Sequence, residues 1–232
     1  MTSGDDRFSD LPPNPFAAPL AEEKEGHVAP TEPGELSLNP WVSILTEPTL
    51  TIRQIVRSNP AHCVVILSCL LGVVSLLGIN DGREESAYLP LTMLLPVALI
   101  GGPILGLLII YVSAAVLRIS AKVLSGVASY AEMRAAYAWS AVPAIYAAPL
   151  TLLTAIVTSP EGAEPGSPTF STVAALNLAA SAIAGIWSFI ISLNTIAEVN
   201  HFSRLKAFGA MILPGFVFVV LAFVVLAFTA SL

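Results

Sequence analysis

After residue 60 the apolar positions fall into five long runs divided by short polar connections: Ala61–Ile79, Pro90–Leu117, Ala135–Val157, Val173–Leu193 and Met211–Thr229. A hydrocarbon core about 30 Å thick is spanned by roughly 20 helical residues at 1.5 Å rise each. Each run is about that long or longer. A helix pairs its own backbone groups, which lipid cannot do for it. No run shows the ten-residue apolar–polar alternation of a membrane barrel strand. The pattern predicts an all-α, polytopic bundle of five transmembrane helices within residues 39–232. A disordered tail (residues 1–38) and an interfacial amphipathic helix are expected to precede it.

The second run exceeds one straight crossing and carries Pro90, Pro96 and Gly101–Gly102–Pro103. Proline removes a donor and clashes with the preceding turn, so a kink or break is expected near residues 96–103. The stretch before it is expected at the outer interface.

Composition agrees with the pattern. With 55% hydrophobic and 11% charged residues and a mean hydropathy of +0.79, polar surface is too scarce to cover a core in water. The charges that remain are sorted. Arg53, Arg57, Arg118, Lys122, Arg134, Arg204 and Lys206 flank one set of run ends, and Arg83 alone stands on the other. Basic residues stay in the cytoplasm, which predicts a cytoplasmic N-terminus and an external C-terminus. The net charge of −6 comes mainly from the tail, which holds eight acidic residues and six prolines and has few apolar groups to pack. Within it, Asn14–Pro15–Phe16 is read as chance in a Pro-rich segment. No basic start followed by an early apolar run appears, so no cleaved signal peptide is expected. The first run then serves as its own insertion signal.

Residues 39–57 are neither tail nor span. Pro48 opens a helix without losing a needed N–H. Ile52, Ile55 and Val56 share one face, with Arg53 and Arg57 elsewhere. Trp41 suits the headgroup layer, so this segment is expected to lie along the cytoplasmic leaflet. Ser58–Asn59–Pro60 ends it and caps the first span. Ser129-Tyr-Ala-Glu132 is a capping box for the third span, with Arg134 as a snorkelling anchor. Ser203 caps the last helix.

Within the runs, Gly102 and Gly106 form one Gly-x-x-x-Gly. Ala136, Ser140, Ala144 and Ala148 recur at the same spacing, as do Ala180, Ala184, Ser188 and Ser192. Small residues so spaced let helices approach closely in lipid. Asn177 is the most deeply placed strongly polar group, and no ionisable residue occupies mid-span. Cys63 and Cys69 lie about 240° apart around one helix and cannot pair there, so they are read as apolar filler. Glu198-x-x-His201 has the spacing of half a carboxylate–histidine metal site, but the other half is missing. No catalytic triad, H-E-x-x-H or phosphate-cradling loop is present. Neither catalysis nor a cofactor is expected.

Asn39-Pro-Trp41 with Thr51-Ile-Arg-Gln-Ile-Val-Arg57 resembles the entry motif of bacterial members of the Yip1 family. Gly101–Gly102–Pro103, then Ser129-Tyr-Ala-Glu-Met-Arg-Ala-Ala-Tyr-Ala-Trp-Ser-Ala-Val-Pro143, resembles that family's second and third spans. Trp187-Ser188, with Ala197-Glu-Val-Asn-His-Phe-Ser-Arg-Leu-Lys-Ala207, resembles its fourth span and last connection. The resemblance covers residues 39–232 and departs at His201, where the family pattern has glycine. It implies five helices, a cytoplasmic N-terminus and no enzymatic activity. Eukaryotic relatives associate with Rab GTPases in vesicle traffic. The likeness to the bacterial branch implies a cytoplasmic membrane without that partner.

These readings point to a non-enzymatic membrane-organising or adaptor protein. Membrane lipids and a protein partner or second copy are expected on a rim of Trp41, Arg53, Arg57, Arg118, Lys122, Arg134, Arg204 and Lys206. No nucleic acid is expected. Helix packing is assigned to Gly102, Gly106, Ser140, Ala144, Ala184 and Ser188. The alternative is a small-solute or lipid transporter. Its motive is the interrupted second run and the loosely similar pairs of runs two–three and four–five.

Overall fold

A computed structural model describes residues 37–80 and 88–230, with side chains as far as Val219. The tail with its Asn14–Pro15–Phe16, and Asp81, Arg83, Glu84 and Glu85, lie outside the described residues. All regular structure among the described residues is helical.

The segment before the first run forms α1 (Pro40–Thr46) and α2 (Pro48–Ser58), each opened by a proline. The Oδ1 of Asn59 accepts the Ala61 N–H, and Cys63 adopts a left-handed φ of 54°. These turns delay α3 to Val64–Leu77, so it is shorter than the run that predicts it; a 3-10 turn, Gly78–Asn80, extends it.

In the second run, α4 (Leu91–Pro96) passes through a π turn (Val97–Gly101) into α5 (Gly102–Val123). The irregularity falls where Pro96 and Pro103 predict it, but its form differs. A widened turn absorbs the missing proline donors, and the chain continues as one 33-residue helix, Leu91–Val123. Of the kink or break expected there, a break is corrected: the helix continues through the π turn. The third run is the one that breaks. Here α6 (Tyr130–Ser140), α7 (Val142–Tyr146) and α8 (Ala148–Val157) follow one another, with a 50° bend between Tyr130–Tyr146 and Ala148–Val157. Pro143 and Pro149 stand in the first turns after the breaks, where their missing N–H groups cost least.

The fourth and fifth runs lie in α9 (Pro168–Asn200) and α10 (Arg204–Ala230). By length and composition, Leu91–Val123 and Pro168–Asn200 are long and apolar enough to cross a membrane. The bent pair makes a third if it is one span, and Val64–Asn80 is a shorter apolar helix. Large apolar side chains point outward along these helices, among them Ile104, Leu108, Leu178, Ile183 and Ile186, each more than half exposed. In a chain this apolar, such a surface is the lipid face.

The closest approach is between α3 and α5. A Cβ built on Gly72 would lie 2.5 Å from the Gly106 nitrogen and nearer still to the Gly102 carbonyl. One on Gly102 would lie 2.7 Å from Val73 Cα. The predicted Gly-x-x-x-Gly therefore receives a helix of the same chain. The largest buried cluster gathers at one end of the bundle, from Ile44, Ile52, Ile55, Leu117, Met133, Trp139 and Ile196.

Candidate functional site: the basic end of the bundle

Two short helices roof that end. Ile44, Ile52 and Ile55 are wholly buried, so the apolar face of α1–α2 packs on protein; its expected use against the leaflet is corrected. Aromatic donors fasten it. The Tyr146 hydroxyl donates to the Trp41 carbonyl at 2.8 Å, and Trp187 Nε1 donates to the Leu45 carbonyl at 3.1 Å. Trp139 is fully buried, with the Trp41 ring edge-on at 5.3 Å and the His62 ring stacked at 6.1 Å, and its Nε1 donates to the His62 carbonyl. Trp41 is thus a half-buried core contact.

The basic residues divide into two groups. Arg53 Nε donates to Glu198 Oε1 at 2.6 Å, tying α2 to α9, and this hydrogen bond raises the Arg53 pKa above its ordinary value. Arg118 Nε donates to the Ala128 carbonyl at 3.4 Å. The Arg134 guanidinium lies 4.7 Å and 4.8 Å from the Tyr111 and Tyr130 ring centres, with Nε buried and without a hydrogen-bond partner. These three serve the fold. Arg57, Lys122, Arg204 and Lys206 are exposed and form no ion pair among the described residues, whereas Arg53 is 43% exposed but paired.

Two caps stand as expected, but Ser58–Asn59–Pro60 does not cap the first span: the intervening turns put Cys63 at the cap position of α3, with no side-chain hydrogen bond there. Ser129 and Glu132 complete the reciprocal capping box, and Ser203 Oγ accepts the Lys206 N–H. His201 takes φ 53°, the left-handed residue after α9, with Phe202 N–H bonded to Ala197 O and His201 N–H to Glu198 O. This is the bond pair in which glycine is usual, and here a histidine takes the same backbone conformation. Glu198, the carboxylate of the half metal motif, is engaged by Arg53. No group of three metal-ligating side chains gathers among the described residues.

The packing residues part company. Gly102 and Gly106 meet α3 as described. Ser140 is buried and its hydroxyl donates to the Tyr137 carbonyl. Ala144 is half-buried on α7, so the stripe from Ala136 to Ala148 is interrupted at the breaks. Ala184 is buried, while Ser188 is half-buried with its Oγ enclosed and unbonded. Further along α9, Thr195 Oγ1 donates to the Ala136 carbonyl of α6. For the transporter reading, the second run is continuous through its π turn, and Asn177 is buried and accepts from Thr151 Oγ1 at 3.4 Å. Nothing in this arrangement supports that reading.

Sequence reasoning missed the Arg53–Glu198 tie, the two-tyrosine seat of Arg134 and the partner of the glycine pair. Only the last had a signal, Ser68-x-x-x-Gly72 in the first run. It also missed two adjoining grooves. One, of about 350 Å³, is lined by Leu45, Glu47, Leu50, Trp187, Ile190 and Arg204 among others. The second, of about 340 Å³, is lined by Glu198, His201, Phe202 and Ser203 and shares Thr49, Asn194 and Arg204 with the first.

No curated protein and no solved structure matches the chain. The family model described as the Yip1 domain matches residues 42–226, beginning inside α1 and ending inside α10. With 185 of 232 residues covered, from the roof helices through every apolar helix, this is a membrane protein belonging to the Yip1 domain family.

Proposed function

We propose that the protein is a non-enzymatic organiser of a bacterial cytoplasmic membrane, holding lipid and a partner protein at its basic end. The observation that carries this reading is the split among the basic residues. Arg53, Arg118 and Arg134 spend their guanidinium groups on contacts within the fold, whereas Arg57, Lys122, Arg204 and Lys206 are exposed at the same end without an ion pair among the described residues. Exposed cations at that level attract anionic headgroups and an acidic protein face.

On this reading the chain crosses five times, through α3, α4–α5, α6–α8, α9 and α10, with the N-terminus and basic end in the cytoplasm. Support comes from the alternation of run ends and from the basic residues gathered on one side. A 33-residue helix is about 50 Å long, well beyond a 30 Å hydrocarbon core. The ends of α5 and α9 therefore have length to spare for a platform under α1 and α2. The partner is an acidic-faced protein or a second copy, and the bacterial resemblance argues against a Rab-type GTPase.

The test is recovery of partners from native membranes after mild cross-linking, for the parent and for Arg57→Glu/Lys206→Glu. The reading expects a stoichiometric partner whose recovery drops in the variant and with added salt. A lone bundle, unaffected by the charge reversals, would overturn it.

A further inference from the structure

The two grooves at the basic end grade in character along their length. Next to the lipid face, the first is walled by Leu45, Leu50, Trp187, Ile190 and Ile191. Where the two adjoin, Thr49, Asn194 and Arg204 line both. The second ends among Glu198, His201 and Ser203. Trp187 and Ile190 are each 45% exposed, so the apolar end opens towards the hydrocarbon. The first groove thus sets an apolar wall beside Glu47 and Arg204, the pairing of acyl chain and charged headgroup that a glycerophospholipid presents.

The charges narrow the headgroup. Glu47 and Arg204 both line the first groove, yet they form no ion pair with each other. Neither side chain has a hydrogen-bonding or ionic partner among the described residues, whereas Glu198 is neutralised by Arg53. A free carboxylate and a free guanidinium thus share one half-open groove without touching. A ligand with an ammonium and a phosphate satisfies both, the phosphate taking the guanidinium fork. A primary ammonium brings three N–H donors to the carboxylate; a trimethylammonium brings none.

We propose that the groove between the α1–α2 turn and the α9–α10 junction holds one phospholipid with a primary-ammonium headgroup, of the phosphatidylethanolamine type, its ammonium on Glu47 and its phosphate on Arg204. This rests on the reading of the protein as a lipid-binding membrane organiser. It adds a chemical selectivity that a basic rim alone does not have, because a rim of cations prefers net-anionic lipid.

The full chain is reconstituted in nanodiscs of equal phosphatidylethanolamine, phosphatidylglycerol and phosphatidylcholine. It is then extracted in mild detergent, and the retained lipid is identified by mass spectrometry. The expected result is roughly two- to fivefold enrichment of phosphatidylethanolamine over both others, the factor one half-exposed charge pair gives. Glu47→Gln is expected to abolish that preference while lipid stays bound, and Arg204→Gln to lower retention of all three. Unchanged melting temperatures show that both variants are folded; if either melts early, Leu50→Trp, which fills the groove from an exposed position, replaces it and is expected to reduce retained lipid.

Retention in the supplied proportions, a lead for phosphatidylglycerol or phosphatidylcholine, or a phosphatidylethanolamine preference that survives Glu47→Gln would each overturn the proposal. Failure of the membrane reading itself would show earlier, as a chain that never enters the nanodisc.

Discussion

Replacing Gly72 by alanine tests how the bundle is built. The new methyl would sit 2.5 Å from the Gly106 nitrogen, against about 3.4 Å for ordinary contact, and the Gly102 carbonyl is closer still. Helices α3 and α5 must then separate by about 0.9 Å or more, with no flexible side-chain end to give way, because the atoms met are backbone. Overpacking costs about 1–3 kcal/mol, and a rigid backbone neighbour places this case near 3. In a fold of this size each kcal/mol moves the melting temperature by about 2–4 °C, so a fall of about 6–12 °C is expected. Both cysteines serve as reporters, since Cys63 precedes α3 and Cys69 lies within it, half-buried. Maleimide-dye labelling during a thermal ramp in detergent reads the opening directly. Gly185→Ala is the control, since nothing lies within 4 Å of its added methyl. A Gly72→Ala melting temperature equal to that of Gly185→Ala would refute the close crossing.

Other expectations follow from the same contacts. Arg53→Glu and Glu198→Arg should each lower the melting temperature by setting like charges together, and the double exchange should restore most of the loss, a coupling of about 0.2–1 kcal/mol measurable as a double-mutant cycle. Trp139→Ala should cost about 3–5 kcal/mol, because a fully buried indole and its bond to the His62 carbonyl are lost together. His201→Gly should raise stability by about 1 kcal/mol by relieving the left-handed residue after α9. A single cysteine replacing Lys122, with Cys63 and Cys69 changed to serine, should be silent to an impermeant maleimide applied to intact cells.

Much of the fold was legible because lipid makes one demand of every crossing segment. The Ser129–Glu132 box, Ser203 and the Pro48 start follow from local rules that act within four residues, and each stands in the structure; of the apolar runs, the second and fourth stand as long helices. What escaped depends on neighbours far along the chain. The amphipathic face of α2 was legible as a face, but its period cannot say whether lipid or α6 and α9 will cover it; burial of Ile52 and Ile55 decides for protein. Arg53 and Glu198 are 145 residues apart, and no spacing rule joins them. Prolines predict irregularity and not its form, so Pro96 gives a π turn in a continuous helix while Pro143 and Pro149 accompany a 50° bend. At the candidate site, the sequence supplied the basic residues but not which of them the fold would consume.

Hydrogen exchange in nanodiscs tests the central claim, that residues 40–58 are a packed roof of the membrane bundle and not a helix lying loose on lipid. If the claim holds, amides of Thr51–Asn59 and of Met133–Ser140 are protected alike and open together as destabilisant is added, since one buried cluster holds both. Exchange of Thr51–Asn59 while Met133–Ser140 stays closed would contradict it.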